Sequence, residues 1–320
     1  MTALKLSHIR KTFGEHVAVD DVSVEIPAGS LYGFIGPNGA GKTTTLRIVV
    51  DIIRPDEGTV EVLGERDPAA IRSRLGYLPE ERGMYKKMRC IDFVAYIGAL
   101  KGVPFREARE RAIELMDRFD LGKWKMATVD TLSKGMQQKL QFISTIIHEP
   151  DLLILDEPFS GLDPVNLEAL KDAMLEYRRQ GRTVIFSTHM MEHAERLCDS
   201  ILMIHQGRKV LDGTLRSIKA DVPSRAVHLS TEGDASFVRE LPMVERVREY
   251  GNDWEVFLNE DADPQALLAA LVGKVTVKTF DVSEPSLYDI FLEQAGVQRD
   301  KHFTETGDLV EQGQGATGGQ

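Results

Sequence analysis

The chain is poor in cysteine. Cys90 and Cys198 are its only two, and neither stands in a CxxC or Cys/His spacing, which argues against a disulfide framework or zinc module and for two core thiols. Aromatic residues are scarce, at 7%. Long apolar runs are absent too: stretches such as Ile91 to Leu100 and Leu152 to Leu155 fall short of the roughly 18 residues needed to cross a bilayer. The first ten residues lack the apolar block and cleavage site of a signal peptide, so a cytoplasmic location is expected. Basic charge is not in excess either. Residues 1–220 carry 31 acidic and 31 basic side chains and residues 221–320 carry 19 and 8, so the net charge of -11 lies in the last hundred. Such a C-terminal part would be repelled by phosphates, and no nucleic acid is expected as a partner. The asymmetry also places a domain boundary near 220. What remains is the composition of a globular protein, 42% hydrophobic and 28% charged, with length enough for two domains.

Periodicity organises the first 220 residues as α/β. Leu4 to Ile9 and Ala18 to Ile26 read as strands, and the apolar run Leu31 to Ile35 leads through a glycine loop into a helix over Thr45 to Ile53. An α-rich insert is expected over about 90–148. Leu152 to Leu155 and Thr183 to Phe186 have the apolar character of buried strands, with a helix over Pro164 to Gln180 between them. Alternation of this kind implies a mainly parallel sheet. Ile201 to Ile204 and Lys209 to Leu211 flank Gln206-Gly207 as a hairpin. Residues 221–298 read as a small α+β domain, and the glycine-rich end within 299–320 as a disordered tail.

Two elements point to phosphate chemistry. The run Gly36-Pro37-Asn38-Gly39-Ala40-Gly41-Lys42-Thr43-Thr44 fits GxxxxGK[ST] between a strand and a helix, where backbone amides and the helix N-terminus converge on phosphate oxygens. Lys42 would reach the β and γ phosphates of a nucleotide, and the Thr43 hydroxyl would ligate Mg2+. The second element is Asp156-Glu157 at the end of an apolar strand. Neighbouring side chains on a strand diverge, so Asp156 suits a metal ion and Glu157 suits a general base that polarises water.

With Leu132-Ser133-Lys134-Gly135-Met136-Gln137-Gln138-Lys139 added, residues 4–215 resemble the ATP-binding subunit of ABC transporters, whose signature is commonly LSGGQ. Ser133 reads as an N-cap and Gly135 leaves an open backbone, a second anion site at a helix start. The resemblance implies a P-loop ATPase cassette with a mainly parallel core sheet, an antiparallel β subdomain and an α-helical subdomain. It implies binding of ATP and Mg2+, and a head-to-tail dimer in which Ser133 and Gly135 of one copy complete the site of the other. It further implies that Phe13 stacks on adenine, that Asp163 in Ser160-Gly161-Leu162-Asp163 belongs to the loop linking the two sites, and that His189 contacts the γ-phosphate.

Glu80, in Tyr77-Leu78-Pro79-Glu80, stands where the family carries a glutamine that senses Mg2+, and a carboxylate there can ligate the cation. The stretch from Glu81 to Tyr85 and the helical insert would meet a separate transmembrane permease, placing the chain on the inner face of the membrane. Residues 225–296 resemble the accessory C-terminal domain of some bacterial ABC exporter ATPases, on layout and on the N-capped amphipathic helix of Pro285 to Phe291.

The expected function is therefore an ATPase subunit that powers transport, export more than import. Three alternatives are weighed: a non-transport ABC ATPase, a P-loop kinase or GTPase, and a regulatory module that binds nucleotide without hydrolysing it. His189 and His193, four residues apart, also allow a metal-binding reading, although Glu192 is misplaced for HExxH.

Overall fold

The structure is a computed structural model that describes residues 1–294 apart from 82, 221–225, 252, 260–261 and 284–285. The expected tail over 299–320 lies outside the described residues, as do Pro285 and Arg82. The chain divides into two compact units, with the division between Leu215 and Arg216.

In the first unit β1 (Thr2–Phe13), β2 (His16–Pro27) and β3 (Leu31–Ile35) precede α1 (Lys42–Val49), β4 (Glu57–Val62), α2 (Pro68–Ile71) and β5 (Leu75–Leu78). Helices α3 (Cys90–Leu100), α4 (Phe105–Arg118) and α5 (Lys134–Ile146) form the helical insert. Then β6 (Leu152–Leu155), α6 (Pro164–Arg179), β7 (Thr183–Thr188), α7 (Met191–Leu197), β8 (Ser200–His205) and β9 (Arg208–Thr214) complete the unit. Strands β2, β1 and β4 form an antiparallel sheet, and a six-stranded sheet runs in the order β5-β6-β7-β3-β8-β9. Within the larger sheet every pair is parallel except β8 with β9.

The parallel strands read as continuous apolar runs because both of their faces are covered. All five residues of β3 and all four of β6 are buried. On one face a single core joins the two sheets, with Leu4, Val22 and Val24 meeting Phe34, Leu46, Ile154 and Ile185. Helices α6 and α7 pack on β3 and β7.

Helix α1 starts three residues before the expected Thr45 and ends before Val50. Thr45 N donates to Gly41 O, and Ile52 N and Ile53 N both donate to Arg47 O as Asp51 takes φ 59°. The last turn thus closes on its own carbonyls, a left-handed helix end that apolar spacing does not reveal. Strands β4 and β5 were not anticipated: β4 is half exposed and β5 has four residues, one a glycine.

The second unit includes β10 (Ala226–Glu232), β11 (Val244–Tyr250), β12 (Asp253–Leu258), α9 (Pro264–Leu271), β13 (Thr276–Ser283) and α10 (Leu287–Gln294), after α8 (Leu215–Ala220) at the division. Its antiparallel sheet has the order β11-β12-β10-β13. Its own core gathers Val227, Leu229, Val238, Trp254, Val256, Leu267 and Leu271. Asp263 caps α9 by accepting from Gln265 N, and Ser286 accepts from Asp289 N at the start of α10, so side-chain oxygens satisfy helix-start amides here.

Ile154 has no exposed surface and lies in the core two residues before Asp156. Ile154→Ala should lower the stability of the first unit by about 2–5 kcal/mol. Scanning calorimetry of the nucleotide-free chain measures this, and an unshifted melting transition would contradict the packing described.

Candidate active site

Parallel pairing brings four strand ends together. Leu155 stands opposite Leu78 on one side and Phe186 on the other, and Thr188 stands opposite Ile35. The segments that leave β3, β5, β6 and β7 therefore emerge along one edge, carrying Gly36 to Thr44, Glu80, Asp156 with Glu157, and His189. Polar groups collect there because a fully covered strand interior has no water or partner for them.

The glycine loop folds back on itself. Gly36 has φ 151° and Gly41 φ 105°, and a Cβ on either would lie 2.1 Å from Ile204 O or 2.4 Å from Ala18 O. Only glycine fits such approaches. Lys42, which is 5% exposed, donates through Nζ to Gly36 O at 2.8 Å and Pro37 O at 3.2 Å, and pairs with Glu157 Oε1 at 3.3 Å. A cavity of about 240 Å³ is lined by Ala18, Asn38 to Thr44, Glu80 and Glu157.

Below it the hydroxyls of Thr43 and Ser187 both donate to Asp156 Oδ1, at 2.9 and 2.7 Å. Asp156 has no exposed surface, and its Oδ2 is buried without a hydrogen-bond partner. An anionic oxygen left open beside a hydroxyl is chemistry suited to a hard cation. Glu157 turns away in the left-handed region, with φ 46°, held there as its N–H donates to Ser187 Oγ at 2.8 Å. His189 Nδ1 donates to Glu157 Oε2 at 3.0 Å.

The two adjacent acids are tuned in opposite directions. Burial pushes the Asp156 carboxyl up, and the hydrogen bonds from Ser187 and Thr43 oppose that without cancelling it. Burial also pushes Glu157 up, but the hydrogen bond from His189 and the charge of Lys42 outweigh it and hold the carboxyl below its ordinary value. Glu80 is raised by partial burial and then by the charges of Asp156 and Glu157.

Other predicted residues lie apart from the cavity lining. Phe13 ends β1, 49% exposed, with Lys11 Nζ 5.6 Å from its ring centroid. Ser133 caps α5 by accepting from Met136 N at 3.3 Å. A Cβ on Gly135 would lie 2.9 Å from Asn166 Nδ2 and 3.6 Å from Asp163 Oδ2. Asp163 caps α6, accepting from Asn166 N at 3.0 Å, so Ser133, Gly135 and Asp163 share one neighbourhood while Gly36 to Thr44 form another. His193 sits on α7 with its ring edge-on to Phe159 at 5.0 Å, whereas His189 engages Glu157.

Sequence reasoning missed Ser187, which joins Asp156 to the Glu157 backbone, and Asn166, which backs Gly135. The one signal for Ser187 is a hydroxyl pair interrupting the apolar run at the end of β7. Gln138 and Gln141 were missed as well: from α5 they donate to Pro158 O at 3.2 Å and Pro79 O at 3.4 Å, tying the helix to the loops after β6 and β5.

Comparison with known proteins gives consistent matches. Residues 19–160 match a family model described as ABC transporter, and residues 213–295 match one described as the C-terminal domain of ATP-binding protein DrrA1-3-like. The chain is similar to the uncharacterized ABC transporter ATP-binding protein YhaQ of Bacillus subtilis (strain 168), 39% identical over 293 residues, covering 92% of this chain and 98% of that protein. It is 34% identical over 304 residues to the Nod factor export ATP-binding protein I of Cupriavidus metallidurans, with 92% and 98% covered. A solved structure of an ATP-binding subunit of an ABC transporter matches with TM-score 0.64 and 31% identity, over 68% of this chain and 92% of that one.

Because the folded state keeps the raised Asp156 carboxyl protonated to higher pH than the unfolded chain does, this group costs stability as pH rises from the ordinary carboxylate range through its raised value. Below that range it costs nothing. Asp156→Asn removes the titration, so thermal melts of the nucleotide-free protein should show the variant gaining on the wild type as pH rises above the ordinary carboxylate value, about 3.9. A difference that stays constant with pH would refute the raised carboxyl.

Proposed function

As the chain belongs to the ATP-binding proteins of ABC transporters, we propose that it binds and hydrolyses ATP at the edge of its parallel sheet and powers movement of a substrate through a separate transmembrane subunit. The observation that carries this reading is the joining of four loops at one sheet edge, with Lys42 3.3 Å from Glu157 and Thr43 2.9 Å from Asp156.

In this reading the amides of Gly36 to Thr44 hold the phosphates, and Lys42 turns from the Gly36 and Pro37 carbonyls to the β and γ phosphates. Thr43 and Asp156 would hold Mg2+ through the open Asp156 oxygen, and the ion would supply positive charge against that developing on the phosphates, while Glu80 lines the same cavity. Glu157 accepts a proton from the attacking water, since its lowered carboxyl is ionised at neutral pH. His189 orients that carboxylate and reaches for the γ-phosphate. Phe13, exposed at the end of β1, offers its face to adenine.

Ser133, Gly135 and Asp163 lie outside the cavity lining, yet Ser133 and Gly135 form a helix start suited to an anion. Two copies arranged head to tail would bring each such start over the other's triphosphate. For the transmembrane partner the favoured surface is the exposed aromatic pair near the Glu80 loop: Tyr85, 55% exposed, and Tyr96, 36% exposed, meet edge-on at 5.8 Å over the buried Phe93. Docking there would hold the chain on the cytoplasmic face of the membrane; no described helix is long and apolar enough to cross it. Export is the favoured direction, on the likeness to the Nod factor export protein.

Glu157→Gln should lower steady-state hydrolysis of ATP about 10²–10⁴-fold, the usual contribution of a general base, and should accumulate an ATP-bound dimer on size exclusion. A wild-type rate in the variant would remove Glu157 as the base, and a wild-type chain without ATPase activity would make the protein a binding module.

A further inference from the structure

Two charged side chains in this chain are placed at an electrostatic cost. Glu80 lines the cavity beside Glu157, with the Asp156 carboxylate beneath Thr43. Among the described lining residues Lys42 is the one cation, and it is already engaged by Glu157 and two carbonyls. Arg47 adds its field from the last turn of α1, acting on both Glu80 and Asp156. A triphosphate entering this cleft adds further negative charge against that carboxylate.

Lys134 is the opposite case. It occupies the first position of α5, exposed beside the capping Ser133, and forms no ion pair among the described residues. A lysine in the first turn opposes the positive end of the helix. Asp163, whose Oδ2 lies 3.6 Å from where a Cβ on Gly135 would stand, is occupied in capping α6 and bonding Asn166. Lys134 therefore destabilises the isolated chain unless an outside anion faces it.

We propose that Lys134 of one copy forms an ion pair with Glu80 of the other when two chains close around nucleotide. This rests on the head-to-tail reading above and adds to it a specific charge contact. The cation comes from the helix start that covers the triphosphate, and the anion from the cleft that receives it, so each surplus charge compensates the other only in the closed pair of chains. Lys134 and Glu80 then act as positioning residues: they set how tightly the dimer closes, and leave proton transfer to Glu157.

The test uses the full chain carrying Glu157→Gln, with MgATP, and measures dimer dissociation by sedimentation. Adding Lys134→Gln or Glu80→Gln should each weaken the dimer about tenfold, in line with measured couplings of interfacial charge pairs, and the double substitution should be no weaker than either single one. Mixing the two single variants is more discriminating. The mixed dimer keeps one intact pair at one of its two sites, whereas each homodimer has none, so mixed species should exceed the statistical proportion. Losses that multiply, statistical mixing, or an undiminished dimer with Lys134→Gln would each overturn the ion pair. If the Glu157→Gln parent stays monomeric with MgATP, the head-to-tail reading fails and the pair with it; if the parent dimerises and the cycle shows no coupling, only the pair fails. Both side chains are exposed, and circular dichroism melts of each variant confirm that folding is retained.

Discussion

Parallel pairing of β5, β6, β7 and β3 is the constraint on which the candidate site depends. Each strand is largely buried and carries no charged side chain along its length. Because neighbouring strands run the same way, their carboxyl ends align, and every polar segment that follows is delivered to the same edge. Residues more than 100 positions apart in the chain, such as Thr43 and Asp156, thereby come within 2.9 Å. Antiparallel neighbours would send alternate segments to opposite edges and separate the same side chains.

At that edge the electrostatics are unbalanced before any ligand arrives. Asp156 and Glu157 are adjacent, yet one is raised and the other lowered. The difference follows from strand alternation and from the left-handed backbone of Glu157, which direct one carboxylate beneath Thr43 and the other toward Lys42 and His189. Ser187 couples the two, donating to Asp156 while accepting from the Glu157 amide. A displacement of one acid is therefore felt by the other through a single hydroxyl. Lys42, meanwhile, is satisfied by backbone carbonyls, which are weaker partners than a phosphate, so its present bonds are ones that a phosphate can outcompete.

Helix α5 links this edge to the chain's other anion-suited feature. Its start is capped by Ser133, and its buried glutamines reach the loops after β5 and β6 through Pro79 O and Pro158 O. The second unit has a separate sheet and core; its helices α9 and α10 are capped by local side chains, which suits a module that folds on its own contacts.

The sequence by itself determined the order of elements, the glycine loop and the acids that follow an apolar strand, because these depend on local periodicity and on residue types that few other contexts tolerate. Helix ends were less legible: α1 stops at Val49 because its final turn closes on Arg47 O, and short or half-exposed strands such as β5 and β4 leave too little pattern to detect. Only the tertiary structure decided the partners. That Ser187 bridges Asp156 and the Glu157 amide, that Asn166 backs Gly135, and that Gln138 and Gln141 hold neighbouring loops are consequences of strand register and helix packing. Side chains distant in sequence acquire a common environment through the fold, and no local spacing encodes which of them will share it.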